Sequence, residues 1–383
     1  MLRVRVRRTC LLRPLHQQRL QDAHPNQNHT ISPALFAELE ELSRIVDISY
    51  CVGLTGTGIQ KPFKCVSRCG DFENFELVAA WNTGPLLSDS CGYIALSHAP
   101  SPKRILLAFR GTYSITNTLS DLTTIPQEYV PYPGDDDEDG GRRGAKCENC
   151  TVHMGFFSSW LNTRHSILPV LEEVRANHTD YQLTLVGHSL GGAVAALASL
   201  DFIARGWNPT VTTFGEPRIG NAALARYVDR QFNLSDDYLK DDRMLKFRRV
   251  THTDDPVPLL PLEEWGYAMH GGEIYIFKPS IPPENSDIIH CVGPTDRRCI
   301  ADGTLPDTSD AMFVDAPPAL PDEKAEQVIK ELRKRSGRWD VDDWIPARYR
   351  LWQLFFAHRD YFWRLGLCVP EGGWLDRPSE RRR

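Results

Sequence analysis

The sequence has no apolar run approaching the roughly 18 residues that a membrane-crossing helix requires. It also has no surplus of basic charge. With 44 Lys and Arg against 50 Asp and Glu, the formal net charge is −6, which gives electrostatic recognition of nucleic acid no basis. No internal repeat is visible. Metal-binding patterns are missing as well: zinc calls for paired CxxC motifs or histidines at ligand spacing, and Cys147-Glu-Asn-Cys150 stands alone. The acidic run Asp135–Asp139 lacks EF-hand spacing and reads as a solvated loop. Neither a metal nor an organic cofactor is expected. A secretory leader would need an apolar stretch of roughly 7–15 residues. Here Met1–Leu20 is interrupted by Arg3, Arg5, Arg7, Arg8, Arg13 and Arg19, and is read as an atypical chain start.

Cysteine, by contrast, is plentiful. Ten are present, several in close pairs: Cys65 and Cys69, Cys147 and Cys150, Cys291 and Cys299. Such spacing fits disulfide loops, zinc ligands or a redox site. A redox CxxC normally opens a helix after a strand, whereas this one follows a glycine-rich acidic loop. Disulfides are the favoured reading, and they belong to oxidising compartments. Four Asn-x-Ser/Thr sequons, at Asn28, Asn149, Asn177 and Asn233, lean the same way. No clear signal peptide accompanies them, so a secretory location is expected on these grounds alone.

The composition, 41% hydrophobic and 25% charged, is that of a globular chain long enough for one large α/β core. Residues 1–32 read as a disordered or atypical segment, 33–370 as one α/β domain, and 371–383 as a basic tail. Apolar residues at Leu35, Leu39, Leu42 and Ile45/Val46 recur at helical spacing from Pro33 to about Tyr50. Leu77–Ala80 and Tyr93–Ser97 read as strands. Ile105–Phe109 is a continuous apolar run, the mark of a strand buried on both faces. A long amphipathic helix over Gly155–Val174 precedes a strand at Leu183–Val186 and an alanine-rich helix at Ala193–Ala204, with Gly206 as its stop. Further strands are expected at Val211–Phe214, Leu245–Val250 and Ile274–Phe277, with a helix at Ala222–Phe232. Alternation of this kind predicts an α/β fold with a mostly parallel sheet covered by helices on both faces. The Pro- and Asp-rich stretch at about 293–345, with a short helix at Asp322–Arg335, reads as an insertion.

Gly187-His188-Ser189-Leu190-Gly191 fits G-x-S-x-G and lies between an apolar strand and an alanine-rich helix. That context defines a nucleophile elbow: the glycines permit a tight turn, and the helix N-terminus favours developing negative charge. A serine hydroxyl needs a base to take its proton, and in this fold the partners follow in the order Ser, Asp/Glu, His. Asp254 and Asp255 both stand at a later strand end. In an extended segment neighbouring side chains point opposite ways, so only one should face a histidine. Of the later histidines, His290 abuts Cys291 and reads as loop, while His270 and His358 rank equally. His188 and His252 read as structural or surface residues. Leu190, following the nucleophile, and Thr112, at the end of the Ile105 strand, are candidate oxyanion donors.

Several stretches taken together resemble the fungal class 3 lipase family, which includes triacylglycerol lipases, feruloyl esterases and phospholipases A1. They are Ala108-Phe-Arg-Gly-Thr112, Gly155-Phe-Phe-Ser-Ser-Trp160, Val186-Gly-His-Ser-Leu-Gly-Gly192, Thr213-Phe-Gly-Glu-Pro-Arg-Ile-Gly-Asn221, Arg249-Val-Thr-His-Thr-Asp-Asp255, Gly266-Tyr-Ala-Met-His270 and His358-Arg-Asp-Tyr-Phe362. The resemblance implies an α/β-hydrolase fold and cleavage of carboxylic esters, most simply acylglycerols, at a lipid–water interface. It places the nucleophile on Ser189, the acid on Asp255, the base on His358 and the oxyanion residues on Thr112 and Leu190, and makes His270 structural. It implies disulfides Cys51–Cys368, Cys65–Cys69, Cys147–Cys150 and Cys291–Cys299, leaving Cys10 and Cys91 over. The family's lid falls on Ser114–Leu122, with Ser114, Ile115, Leu119 and Leu122 as its members. The usual lid tryptophan is absent near Thr118, which makes this lid less apolar than in strong lipases. Pro256 replaces a branched apolar residue after the acid, and the stretch between His270 and His358 is longer than usual. Two other readings stay open: a feruloyl or short-chain esterase, and a catalytically inactive lipase-like binding protein.

Overall fold

A computed structural model describes residues 29–53, 58–84, 89–112, 126–130, 147–234, 241, 245–302 and 357–369. The expected lid residues Ser114, Ile115, Leu119 and Leu122 lie outside these. So do Cys10, Asn28, the acidic loop, the helix expected at Asp322–Arg335 and most of the insertion.

Helix α1, Pro33–Ile48, begins where expected. Pro33 is pre-set for the first helical position, and the Ser32 hydroxyl accepts the Leu35 amide at 3.1 Å. Its stripe of Leu35, Leu39, Leu42, Ile45 and Val46 is buried, and a 3-10 turn at Ser49–Cys51 ends it. Strands β1 (Phe75–Asn82), β2 (Cys91–Ser97) and β3 (Arg104–Arg110) form an antiparallel meander. Short strands β4 (Pro126–Glu128) and β5 (Thr151–His153) precede α2 (Met154–Asn177). Then come β6 (Gln182–His188), α3 (Leu190–Ala204), β7 (Thr210–Phe214), β8 (Gly220–Asn221) and α4 (Ala222–Phe232). The described chain continues through β9 (Phe247–His252), β10 (Tyr267–Ala268), β11 (Glu273–Ile276) and β12 (Ile288–His290).

The main sheet has eight strands in the order β1-β2-β3-β6-β7-β9-β11-β12. Pairing from β3 through β6, β7 and β9 to β11 is parallel, and the pairings at both edges are antiparallel. Alternate residues of β3 divide between two cores. Ile105, Leu107 and Phe109 join Phe156, Trp160, Leu197 and Leu224 of α2, α3 and α4. Leu106 and Ala108 join Leu39, Leu42 and Ile45 of α1, together with Tyr361, Phe362 and Leu365. Both faces are therefore covered, and the segment bearing His358 packs on the α1 face.

A second sheet, in the order β10-β8-β5-β4, was not foreseen, because strands of two or three residues carry no readable alternation. His290 also departs from expectation. It ends β12 rather than lying in a loop, paired opposite Ile274 of β11. The apolar Ile288 and Ile289 before it fill the sheet edge, and the adjacent cysteine does not interrupt the pairing.

All four implied disulfides are formed: Cys51–Cys368, Cys65–Cys69, Cys147–Cys150 and Cys291–Cys299. The first spans 317 residues and fixes the His358 segment beside the end of α1. Cys91 is a buried free thiol.

Candidate active site

The carboxyl ends of the parallel strands carry the residues in question, as expected of an open α/β sheet. Ser189 joins β6 to α3 with φ 57° and ψ −130°, a conformation L-residues rarely adopt, and serves as the helix N-cap residue. The turn depends on its glycines. A methyl on Gly187 would lie 2.2 Å from the Gly191 carbonyl oxygen, and one on Gly191 would lie 2.3 Å from that of Phe109. The Ser189 amide donates to the Phe214 carbonyl at 2.9 Å, anchoring the elbow to the end of β7. Leu190 opens α3, where first-turn amides have no carbonyl partner within the helix. Thr112 follows Gly111 just past the end of β3.

Asp255 and His358 meet across 103 residues, with His358 Nδ1 donating to Asp255 Oδ2 at 2.9 Å and Oδ1 at 3.0 Å. Two more donors converge on the carboxylate: the Tyr361 hydroxyl at 2.6 Å and the Val257 amide at 2.9 Å. Burial and the adjacent Asp255 push the Tyr361 hydroxyl well up from its ordinary value, so it keeps its proton and remains a donor. Asp254, by contrast, is exposed. The two aspartates do diverge, but through a turn after β9, where the Asp255 amide returns to the His252 carbonyl at 3.0 Å, and not through extended alternation.

Ser189 and His358 are drawn into one place from two directions. The His188 ring, next to Ser189 in the chain, stacks on the His358 ring at 4.7 Å between centroids. Gly215 follows Phe214, which receives the Ser189 amide, and a methyl on it would sit 2.9 Å from both His358 Cε1 and Asp255 Oδ2. Ser189 Oγ and His358 Nε2 are both buried, and neither has a hydrogen-bond partner among the described residues. A hydrogen bond between them is not formed here. What the fold supplies is a buried hydroxyl and a buried imidazole nitrogen, each without a partner among the described residues.

Comparison with known proteins follows the same line. The profile of the family described as lipase (class 3) matches residues 106–265. A secreted mono- and diacylglycerol lipase 2 from Gibberella zeae is 52% identical over 90% of this chain and 85% of its own length. Lipase A of Sodiomyces alcalophilus is 50% identical over 89% of this chain and 84% of its own. The chain belongs to the class 3 lipases. Among solved structures, that of Lip2 lipase from Yarrowia lipolytica superposes with a TM-score of 0.68 at 29% identity, covering 90% of this chain and 99% of that one.

In this class 3 lipase the sequence gave no site role to two residues that touch the pair, Tyr361 and His188. Tyr361 holds Asp255, and its place three residues after His358 was the available signal. His188 and His252 are each about 1% exposed, so neither is a surface residue. Burial and the neighbouring His358 hold the His188 ring well below the ordinary histidine range, hence neutral. His270 is also buried, but lies against Glu216 at 3.0 Å and takes no part in the contacts of Asp255.

Proposed function

We propose that this chain is a secreted ester hydrolase acting on acylglycerols through an acyl-enzyme at Ser189. The observation that carries this is the pairing of His358 Nδ1 with Asp255 while His358 Nε2 and Ser189 Oγ stay buried with no partner among the described residues. Nδ1 faces a carboxylate that only accepts, so the proton sits there and the Nε2 lone pair is free to act as base. His358 takes the Ser189 proton as Oγ attacks the ester carbonyl carbon. Asp255 steadies the imidazolium that results. The tetrahedral oxyanion rests on the Leu190 amide and on Thr112, aided by the positive end of α3. His358 then returns the proton to the departing glycerol oxygen. Water, deprotonated by the same ring, releases the fatty acid from Ser189.

Acylglycerols are preferred as substrates because the 52%-identical relative is named for mono- and diacylglycerols. The four disulfides fit an oxidising destination. The test is a fluorophosphonate probe followed by peptide mapping, together with rates on mono-, di- and triolein, p-nitrophenyl butyrate and methyl ferulate. Ser189 should be the labelled residue, Ser189→Ala should abolish hydrolysis in a folded protein, and the oleoyl glycerides should be the best substrates. An active Ser189→Ala variant sinks the mechanism. Methyl ferulate turned over faster than every glyceride sinks the substrate assignment.

A further inference from the structure

Three hydrogen bonds behind Ser189 join segments far apart in the chain. The Gly111 amide donates to Tyr50 Oη at 3.1 Å, Tyr50 Oη meets His188 Nδ1 at 2.5 Å, and His188 Nε2 meets the His358 carbonyl at 2.8 Å. The links span 61, 138 and 170 residues, and all four residues lie in the interior. We infer that Tyr50 and His188 are positioning residues, which lock the oxyanion turn at Gly111–Thr112 and the backbone of His358 to each other on either side of Ser189. This rests on the reading of Ser189 and His358 given above.

The direction of the chain follows from its ends. A carbonyl only accepts, so His188 Nε2 carries the proton. A neutral ring then has its lone pair on Nδ1, which takes the Tyr50 hydroxyl proton. The Tyr50 oxygen keeps a lone pair for the Gly111 amide. The ring is held neutral by burial, and burial pushes the Tyr50 hydroxyl up to about 12, so at neutral pH the ring keeps its lone pair and the hydroxyl its proton. Each of the three bonds thus has one donor and one acceptor, and reversing the Tyr50–His188 bond leaves the Gly111–Tyr50–His188–His358 series without a consistent set of donors.

The chain bears on the reaction because its ends are the parts that must be placed. A methyl on Gly111 would lie 2.7 Å from the His188 carbonyl oxygen and 2.8 Å from Ser189 Cβ, so this turn sits directly against the elbow. Thr112 is the next residue. At the other end, His358 is held twice, through its ring by Asp255 and through its carbonyl by His188. Tyr50 has further hold on the same segment: the Arg359 guanidinium lies 5.6 Å over its ring, and the neighbouring Cys51 is bonded to Cys368. Removing the Tyr50 hydroxyl strands the Gly111 amide and His188 Nδ1 together, and both ends become free to shift. Neither residue reaches the substrate, so the effect falls on the rate of the chemical step and not on binding.

The test uses the full chain, with Tyr50→Phe, His188→Gln and the double variant. Active sites are titrated with the fluorophosphonate, and kcat per titrated site and KM are measured on p-nitrophenyl butyrate. Misplacement of about 1 Å typically costs on the order of 10²-fold in rate, so each single variant should lose about 10- to 100-fold in kcat per site with KM within about twofold. His188→Gln can keep an Nε2 donor for the His358 carbonyl but has no atom at the Nδ1 position that meets Tyr50. The double variant should be little worse than the poorer single one, since both cut the same chain. Should Tyr50→Phe yield too little folded protein, His188→Gln alone decides the matter. Unchanged kcat per titrated site, with only the titratable fraction or Tm falling, would make the pair a packing feature and overturn the inference. Losses that multiply would overturn the coupling. A wild-type protein unlabelled at Ser189 would instead overturn the proposed function, and this inference with it.

Discussion

Two buried histidine–carboxylate pairs lie among the described residues, and on distance alone they are alike: His358 Nδ1 stands 2.9 Å from Asp255, and His270 Nε2 stands 3.0 Å from Glu216. All four side chains are almost fully buried. They differ in what the second nitrogen does. His270 Nδ1 faces the Gly271 carbonyl at 2.9 Å, so oxygen atoms occupy both nitrogens and neither is open to a serine hydroxyl. Glu216 is engaged further by the Thr213 hydroxyl at 2.6 Å. His358 Nε2 has no partner among the described residues. A saturated pair holds a fold together. A pair with one nitrogen left unmet in the interior carries a desolvation penalty that structure alone does not justify, and that nitrogen is where a base can work.

The comparison breaks first at His358→Ala, which should lower kcat on p-nitrophenyl butyrate by on the order of 10⁶-fold, as loss of the base does in such triads. Stability should change little, because Asp255 keeps Tyr361 and Val257 as donors. His270→Ala should do the reverse. It leaves the Glu216 carboxylate buried beside a void, which typically costs about 3–5 kcal/mol by urea denaturation, while kcat per titrated site stays within severalfold of wild type. If the two variants exchange these outcomes, the roles of the two rings are exchanged with them. Asp255→Asn comes next. It preserves shape but offers His358 an amide, allowing the wrong tautomer, and should lower kcat by about 10⁴-fold. A loss under tenfold would show that Tyr361 and the backbone orient the ring without the carboxylate.

Much of this arrangement was legible in the order of residues. Apolar runs marked β3, β6 and β7, and the flanks of Ser189 marked the elbow, because those signals are local and a strand buried on both faces writes itself as a continuous stretch. The choice between Asp254 and Asp255 was not local: it depends on a turn that buries one and exposes the other. Nor could spacing separate His270 from His358, since each meets its carboxylate only after the chain has folded back over 54 or 103 residues. Resemblance to known motifs supplied what spacing withheld. The bonds from Gly111 through Tyr50 and His188 to His358 were invisible to both approaches. Each joins ordinary residues, and only their concurrence behind Ser189 gives them meaning.

His188 sharpens the comparison as a third buried ring, and through the smallest expected effect. Both its nitrogens are occupied, as in His270, but one of its partners is a hydroxyl that can donate, and burial holds the ring neutral. Burial holds the folded His188 well below 6.5, and does the same to a lesser degree for His252. Between the folded value and the unfolded one near 6.5, the unfolded chain binds more protons, so stability rises with pH. The contribution is therefore complete above about pH 6.5 and is lost as pH falls below it. Each ring contributes a slope of at most about 1.4 kcal/mol per pH unit in that window. Urea midpoints at pH 7.5, 6.5 and 5.5 for wild type and His188→Gln isolate the share of one ring, because the carboxylates common to both cancel. The difference between the two proteins should be constant from pH 7.5 to 6.5 and should shrink toward pH 5.5. A constant difference throughout would mean that His188 titrates alike in the folded and unfolded chain, and the neutral ring that gives the Tyr50 bond its direction would be lost.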